Sequence, residues 1–266
     1  PSGEGAALDE GGAYTFPVGT LFLKTFYYSP ADGGPRRRLE TRVYAHQTDG
    51  WRGFTWRWNE EQTDAILVRG EQAETLETAE GSLEWTYPSS SQCDQCHTSA
   101  SGHVLAFNTR QLNRGLGAEG DGFPQLDALV EAGWLRPESG SIDSSMLPRH
   151  PVLGDEGAPI EDRARAWLDT NCAMCHQQGA ATGVEIDLRA SIPFGEMRLC
   201  GAAPRGTHFG IEGASLLTPG APEQSVLLAR VDRRGEDQMP PLGSTRVDRA
   251  GVSLLTDWVS ILSACP

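Results

Sequence analysis

Four cysteines and two histidines stand at a spacing that suits one kind of chemistry. Cys93-Asp94-Gln95-Cys96-His97 and Cys172-Ala173-Met174-Cys175-His176 both read Cys-x-x-Cys-His. On a helical turn, positions i, i+3 and i+4 share one face, so two thiols can bond the vinyl carbons of a porphyrin while the imidazole reaches its iron. This is the attachment signature of haem c. It predicts two covalently bound haems, one held by Cys93 and Cys96 with His97 on the iron, the other by Cys172 and Cys175 with His176 on the iron. The rival reading is a zinc site made by the four cysteines. It fails because 76 positions separate Cys96 from Cys172, well beyond a zinc ribbon, and because zinc leaves the adjacent histidines unexplained. A thioredoxin-like pair fails too, since neither motif sits in a strand-helix-strand pattern.

Cys200 and Cys265 remain of the six cysteines. Haem attachment of this kind belongs to oxidising compartments outside the cytoplasm, where two spare thiols usually pair, so a Cys200 to Cys265 disulfide is expected. The chain begins at Pro1 without an apolar leader, which suits a processed product of an exported precursor, periplasmic or extracellular. Its apolar runs are only a few residues long, so no membrane helix is expected. A formal charge of −14, with Lys24 the single lysine, excludes a nucleic-acid partner, because neutralising phosphates needs a basic face.

The elements around the motifs fall into two styles, which together predict an α+β chain. After the linker from Pro148 to Pro159, Ile160, Ala164, Trp167 and Leu168 repeat at helical spacing, with Glu161 and Asp162 in the first turn. This helix leads into Cys172. Leu254, Leu255, Trp258, Ile261 and Leu262 form a second apolar stripe, opened by Asp248 as N-cap. Between them a Pro-Gly turn enters a short helix over Val226 to Val231, followed by Gln238-Met239-Pro240-Pro241-Leu242-Gly243. A methionine thioether in a rigid, non-helical loop suits a soft axial ligand, and it also suits a core gap-filler.

The first part is written with period two. Leu21 and Leu23 alternate with Phe22 and Lys24, Leu39 to His46 alternate likewise, and Asp49-Gly50 marks a tight turn. Phe54, Trp56 and Trp58 then share a face, as do Leu83, Trp85 and Tyr87 just before Cys93. The pattern predicts one twisted antiparallel sheet whose rings are either core or walls of a haem pocket. A helix is predicted over Gln125 to Trp134. The expected layout is a β-rich domain over 1–147, a linker over 148–158 and a helical domain over 159–266.

Two resemblances bear on these halves. The entry helix, the attachment motif, the Met239-Pro240 loop 63 positions after His176 and the closing helix resemble a class I cytochrome c domain, which implies His176 and Met239 as the axial pair. The order Phe16-Pro17-Val18-Gly19-Thr20-Leu21-Phe22-Leu23-Lys24, Gly50-Trp51-Arg52-Gly53-Phe54, the first motif and Val104-Leu105-Ala106-Phe107 resembles the cytochrome P-460 and c′-beta superfamily. That likeness implies a haem held against an antiparallel sheet with an open distal side, and it places Lys24 where the P-460 members cross-link a lysine to the porphyrin. The whole chain, with Thr109-Arg110-Gln111-Leu112-Asn113 and Met239-Pro240-Pro241-Leu242-Gly243, also resembles an uncharacterised family of bacterial dihaem proteins, some of which look associated with quinoprotein dehydrogenases. It implies a redox protein partner, such a dehydrogenase or another cytochrome. For the sixth ligand of haem 1, Met146 in Ser145-Met146-Leu147-Pro148, His103 and His150 stay open beside no ligand at all. Met146 is equally a linker contact, and the two histidines are equally solvated loop residues. Electron relay through both haems and small-molecule redox chemistry at haem 1, on hydroxylamine, nitric oxide or peroxide, are the two functions implied.

Overall fold

A computed structural model describes residues 3–78, 81–117, 122–180 and 182–266. In chain order its elements are β1 (Ala6–Leu8), β2 (Tyr14–Thr15), β3 (Leu21–Tyr28), β4 (Arg37–Gln47), β5 (Gly50–Trp58), β6 (Ala65–Leu67), β7 (Gln72–Thr78), β8 (Gly81–Tyr87) and α1 (Ser90–Cys93). There follow α2 (Thr109–Leu112), α3 (Gln125–Glu131), β9 (Leu135–Pro137), α4 (Ile160–Asn171), α5 (Val226–Val231) and α6 (Arg249–Ile261). The fold is α+β. Contacts divide it into two compact units, Pro1–His97 with Arg114–Met146, and Thr98–Asn113 with Leu147–Pro266.

The first unit holds every named strand, in three sheets where the sequence pattern predicts one. Strands β3, β4, β5 and β6 form an antiparallel sheet in that order, β7 and β8 a separate hairpin, and β2, β1 and β9 a third sheet in which β1 and β9 run parallel. Alternation reveals a strand but not its partner, so Leu83–Tyr87 reads as part of the large sheet although it pairs only with β7. The β4–β5 hairpin closes on a Gln47–Gly50 pair, leaving Thr48-Asp49 as a two-residue loop, with Gly50 at φ 118 where a side chain would be strained. Leu39, Leu76 and Leu83 are buried together, with Tyr28 and Trp85 against them, and this cluster packs the hairpin on the sheet. Helix α3 stops at Glu131, short of the predicted Trp134, because Gly133 turns left-handed at φ 69 and its N–H bonds Val130 O, leaving Trp134 exposed.

The second unit is built from helices and loops around a core that includes Leu168, Leu188, Met197, Leu199, Leu217, Val226, Leu255 and Trp258. The predicted N-cap of α6 is present: Asp248 Oδ1 accepts from Gly251 N at 3.0 Å. The other oxygen of that carboxylate accepts from Trp167 Nε1 on α4 at 2.9 Å, and a Cβ on Gly251 would fall on the Trp167 indole. One aspartate therefore caps α6 and ties it to α4, at a crossing that only glycine admits. The segment Thr98–Asn113, which the sequence layout assigns to the β-rich half, belongs here. It is held by His150 N–H bonding Arg110 O at 2.9 Å and by Asn113 Nδ2 donating to Leu147 O at 2.8 Å. Among the described residues, no helix is long and apolar enough to cross a membrane.

Candidate functional site

Both motifs fold as one helical turn, closed by the same two backbone bonds. Cys96 N and His97 N reach Cys93 O at 3.2 and 3.0 Å, and Cys175 N and His176 N reach Cys172 O at 3.0 and 2.9 Å. Each turn therefore presents two thiols and an imidazole on one side, as the spacing requires. Their surroundings differ.

Motif 1 lies on the β3–β4–β5 sheet. Strand β8 delivers the chain to the single turn α1, whose entry is fixed by Ser89 N–H bonding Gln92 Oε1 at 2.8 Å. Cys93 sits over Gly53, so closely that a Cβ there would lie 2.6 Å from Cys93 Sγ. The register pairs Tyr44 with Gly53, and the Tyr44 ring stands 4.3 Å from the His97 ring. Tyr44 also stacks on Trp51 at 5.0 Å, and Trp51 on His46 at 4.5 Å. The sequence pattern offers Phe54, Trp56 and Trp58 as walls of this pocket. Successive strand residues alternate faces, so with Gly53 turned to Cys93 these three rings belong to the opposite face, and Tyr44 and Trp51 are the aromatics at the motif. Gly53→Ala is expected to push Cys93 off the sheet and to destabilise the first unit by about 1–3 kcal/mol, the usual cost of overpacking, measured as a shift in urea midpoint at unchanged slope.

The same face carries charges that alternation alone does not single out. Lys24, Arg42 and Thr55 are in register, with Glu40 paired to Phe26 and Arg57 beside them. Glu40 is fully buried. One oxygen accepts from Arg42 Nη2 at 2.5 Å, while Oε2 has no partner among the described residues. Burial raises the Glu40 pKa above the ordinary carboxylate value, against the pull of Arg42. Lys24 Nζ lies 4.9 Å over the Phe26 ring, and its pKa is lowered by burial of its ammonium and then by Arg42. Burial likewise raises the Cys93 thiol, with Arg42 opposing.

Motif 2 follows α4 directly, Cys172 N–H bonding Leu168 O. The Cys172 thiol is buried in the core, which pushes its pKa up to about 12 and keeps it protonated, a poor state for a metal thiolate. His176 is held by its carbonyl, which accepts from Leu188 N at 2.8 Å. Its pKa is lowered by burial and then by the Arg230 guanidinium, and its Nδ1 is buried without a partner among the described residues. Met239 N–H bonds Arg230 O at 3.0 Å, and its side chain packs against the core. Arg230 therefore neighbours both His176 and Met239. A cavity of about 190 Å³ beside Met239 is lined by Trp167, Asn171, Val231 and Arg234 among others.

Of the other candidates, Met146 is 80% exposed on a 3-10 turn, Ser144–Met146. His150, read from sequence as a solvated loop residue, is instead paired: Nε2 lies 2.8 Å from Asp169 Oδ2, with the imidazole only 11% exposed. Asp169 Oδ1 also accepts from Ala190 N at 2.9 Å, so this aspartate fastens two loops to α4. His103 lies at φ 61 in the segment after motif 1. Cys200 and Cys265 are joined by a disulfide, Cα atoms 5.6 Å apart.

The donor chemistry fits haem c. Each turn offers two thiols in the attachment spacing and one imidazole, and the buried His176 Nδ1 has no hydrogen-bond partner among the described residues. Among the described residues no three His, Cys, Asp or Glu side chains gather as a metal cage, but a porphyrin fills four positions on iron and asks the protein for one or two donors. No protein-family model matches the chain, and no curated protein or solved structure matches it either.

Proposed function

We propose that this chain is an exported dihaem c-type cytochrome that transfers electrons to or from a redox partner protein, a quinoprotein dehydrogenase or another cytochrome. What supports this reading above all is the identical single turn at Cys93–His97 and Cys172–His176, each closed onto the carbonyl of its first cysteine. Bound there, each haem supplies a one-electron iron couple. Cys93 and Cys96 would hold haem 1 and Cys172 and Cys175 haem 2, with His97 and His176 on the irons and Met239 as the second axial donor of haem 2. The chain's own part is to orient and to exclude water. Tyr44 packs against the His97 ring, burial favours the neutral form of His176 that can ligate, and the core around Cys172 keeps solvent away. A disulfide between Cys200 and Cys265 accords with an oxidising compartment. Intact mass under denaturing conditions is the test: the exported protein should carry the mass of two haems, and a chain with one or none sinks the reading.

A second reading, a small-molecule redox enzyme at haem 1, is favoured by Glu40. This buried carboxyl can hold a proton at Oε2 at a pH where a solvated one has lost it, on the sheet face that carries Cys93 and Lys24. Exposed Met146 and Asp169-paired His150 leave His103 as the sequence candidate for a sixth ligand of haem 1. If haem 1 is open, the reduced protein should bind carbon monoxide at one of its two haems. Two haems inert to carbon monoxide would leave electron relay alone standing.

A further inference from the structure

The loop that carries Met239 is held in a way its own backbone cannot manage. Pro240 and Pro241 have no N–H to donate, so the stretch from Gly235 to Arg246 cannot close by a main-chain ladder. Side chains do the closing: Arg230 Nη1 donates to Asp237 O at 3.0 Å, and Arg234 and Gln238 reach further. The Arg234 guanidinium donates through Nη1 to the carbonyl of Val231, the last residue of α5, at 3.2 Å and to that of Arg233, just beyond it, at 2.5 Å. Through Nη2 it donates to Ser244 Oγ at 2.7 Å and Arg246 O at 2.6 Å, on the far arm of the loop. Gln238 works from inside: its Oε1 accepts from Gly235 N at 2.7 Å, and its Nε2 donates to Pro240 O at 2.7 Å and Ser244 O at 3.1 Å. Met239 N–H on Arg230 O completes the frame.

Resting on the dihaem reading, we propose that Arg234, seconded by Gln238, is the positioning residue that holds Met239 at the iron of haem 2. A thioether is a weak axial donor on a chain with three rotatable bonds, so its bond to iron survives only where the backbone behind it is already fixed. A planar guanidinium can serve four acceptors on two sides at once; an ammonium, a compact point charge, cannot span them. Nothing in the fold core asks for this arrangement, since Arg234 joins loop to helix end and lies outside the apolar cluster.

The test follows the sulfur-to-iron charge-transfer band of the ferric dihaem protein, together with the potential of haem 2. Arg234→Gln should weaken the band and lower the potential, the ratio of Met-bound to Met-free ferric protein falling about tenfold or more, because hydrogen bonds from a charged donor are each worth about that much. Arg234→Lys should recover only part of the loss, and Gln238→Ala should show a smaller loss of the same kind. Far-ultraviolet circular dichroism and an intact Cys200–Cys265 bond distinguish a displaced ligand from an unfolded domain. If Arg234→Gln does not fold, Gln238→Ala and Ser244→Ala carry the test. Folded variants that keep the wild-type band and potential overturn the proposal. A wild-type protein without the band, or a band that survives Met239→Leu, overturns the His176 and Met239 ligation itself, and is read before any Arg234 variant.

Discussion

Chains in which Cys172 and Cys175 are both alanine are expected to emerge with one haem instead of two, and with the second unit far less stable. The two thiols are the only covalent anchors the second motif offers, and His176 alone would have to retain the cofactor. Cys172 is also a core residue, packed with Leu168 and Ala173, so a site shaped around its thioether loses both the bond and the filling. A haem bonded through both thiols would stay on the chain when it unfolds, so what the variant loses is the packing and the iron–ligand bonds that the haem makes only in the folded domain. The reciprocal double variant at Cys93 and Cys96 should lose the other haem and leave the charge-transfer band of haem 2 in place. Denaturing mass spectrometry and the reduced visible spectrum read both results. Two haems persisting in either double variant would show that attachment lies elsewhere.

The second large effect is expected at Trp258. This indole is wholly buried on α6, its ring centroid 5.2 Å from that of Phe194, within the cluster that also receives Leu168 from α4 and Val231 from α5. Truncating such a ring removes its transfer free energy and leaves a cavity, together about 3–5 kcal/mol. Domains are stable by only ~5–15 kcal/mol, so Trp258→Ala should bring the second unit close to its unfolding threshold, while Trp258→Phe, which keeps most of the volume, should cost far less. Urea titrations of the two variants would show midpoints well apart, and equal midpoints would mean that the ring does not carry the core.

The sequence is most legible where the physics is local. The turn geometry of each motif follows from spacing alone, and the helix into Cys172, the Asp248 cap and the short helix before Met239 follow from periodicity and capping chemistry. Strands β3, β4, β5 and β8 announce themselves by alternation. What could not be read depends on distant partners. The parallel pairing of Ala6–Leu8 with Leu135–Pro137 joins three-residue strands too short to show a period. The transfer of Thr98–Asn113 to the second unit rests on contacts across more than thirty positions. At the site, Glu40 looks like any solvent-facing strand charge until the hairpin covers it, and His150 looks solvated until Asp169 comes to meet it. Gly53 carried a signal that could have been used: a glycine inside an aromatic strand marks a close approach, and the side chain that approaches is Cys93.

The bond between Cys200 and Cys265 closes a covalent ring over a sequence separation of 65. Inside that ring lie Arg230, Arg234, Met239 and Trp258; outside it lie Cys172, Cys175 and His176. In the unfolded chain such a closure removes conformations worth about 4 kcal/mol in the loop-entropy account. The two axial donors proposed for haem 2, His176 and Met239, therefore belong to different topological segments, one tethered and one open. On that reading His176 would stay beside the iron when the domain loosens, its haem being bonded at Cys172 and Cys175, and the search that restores the pair would be made by Met239 within the confines of its ring.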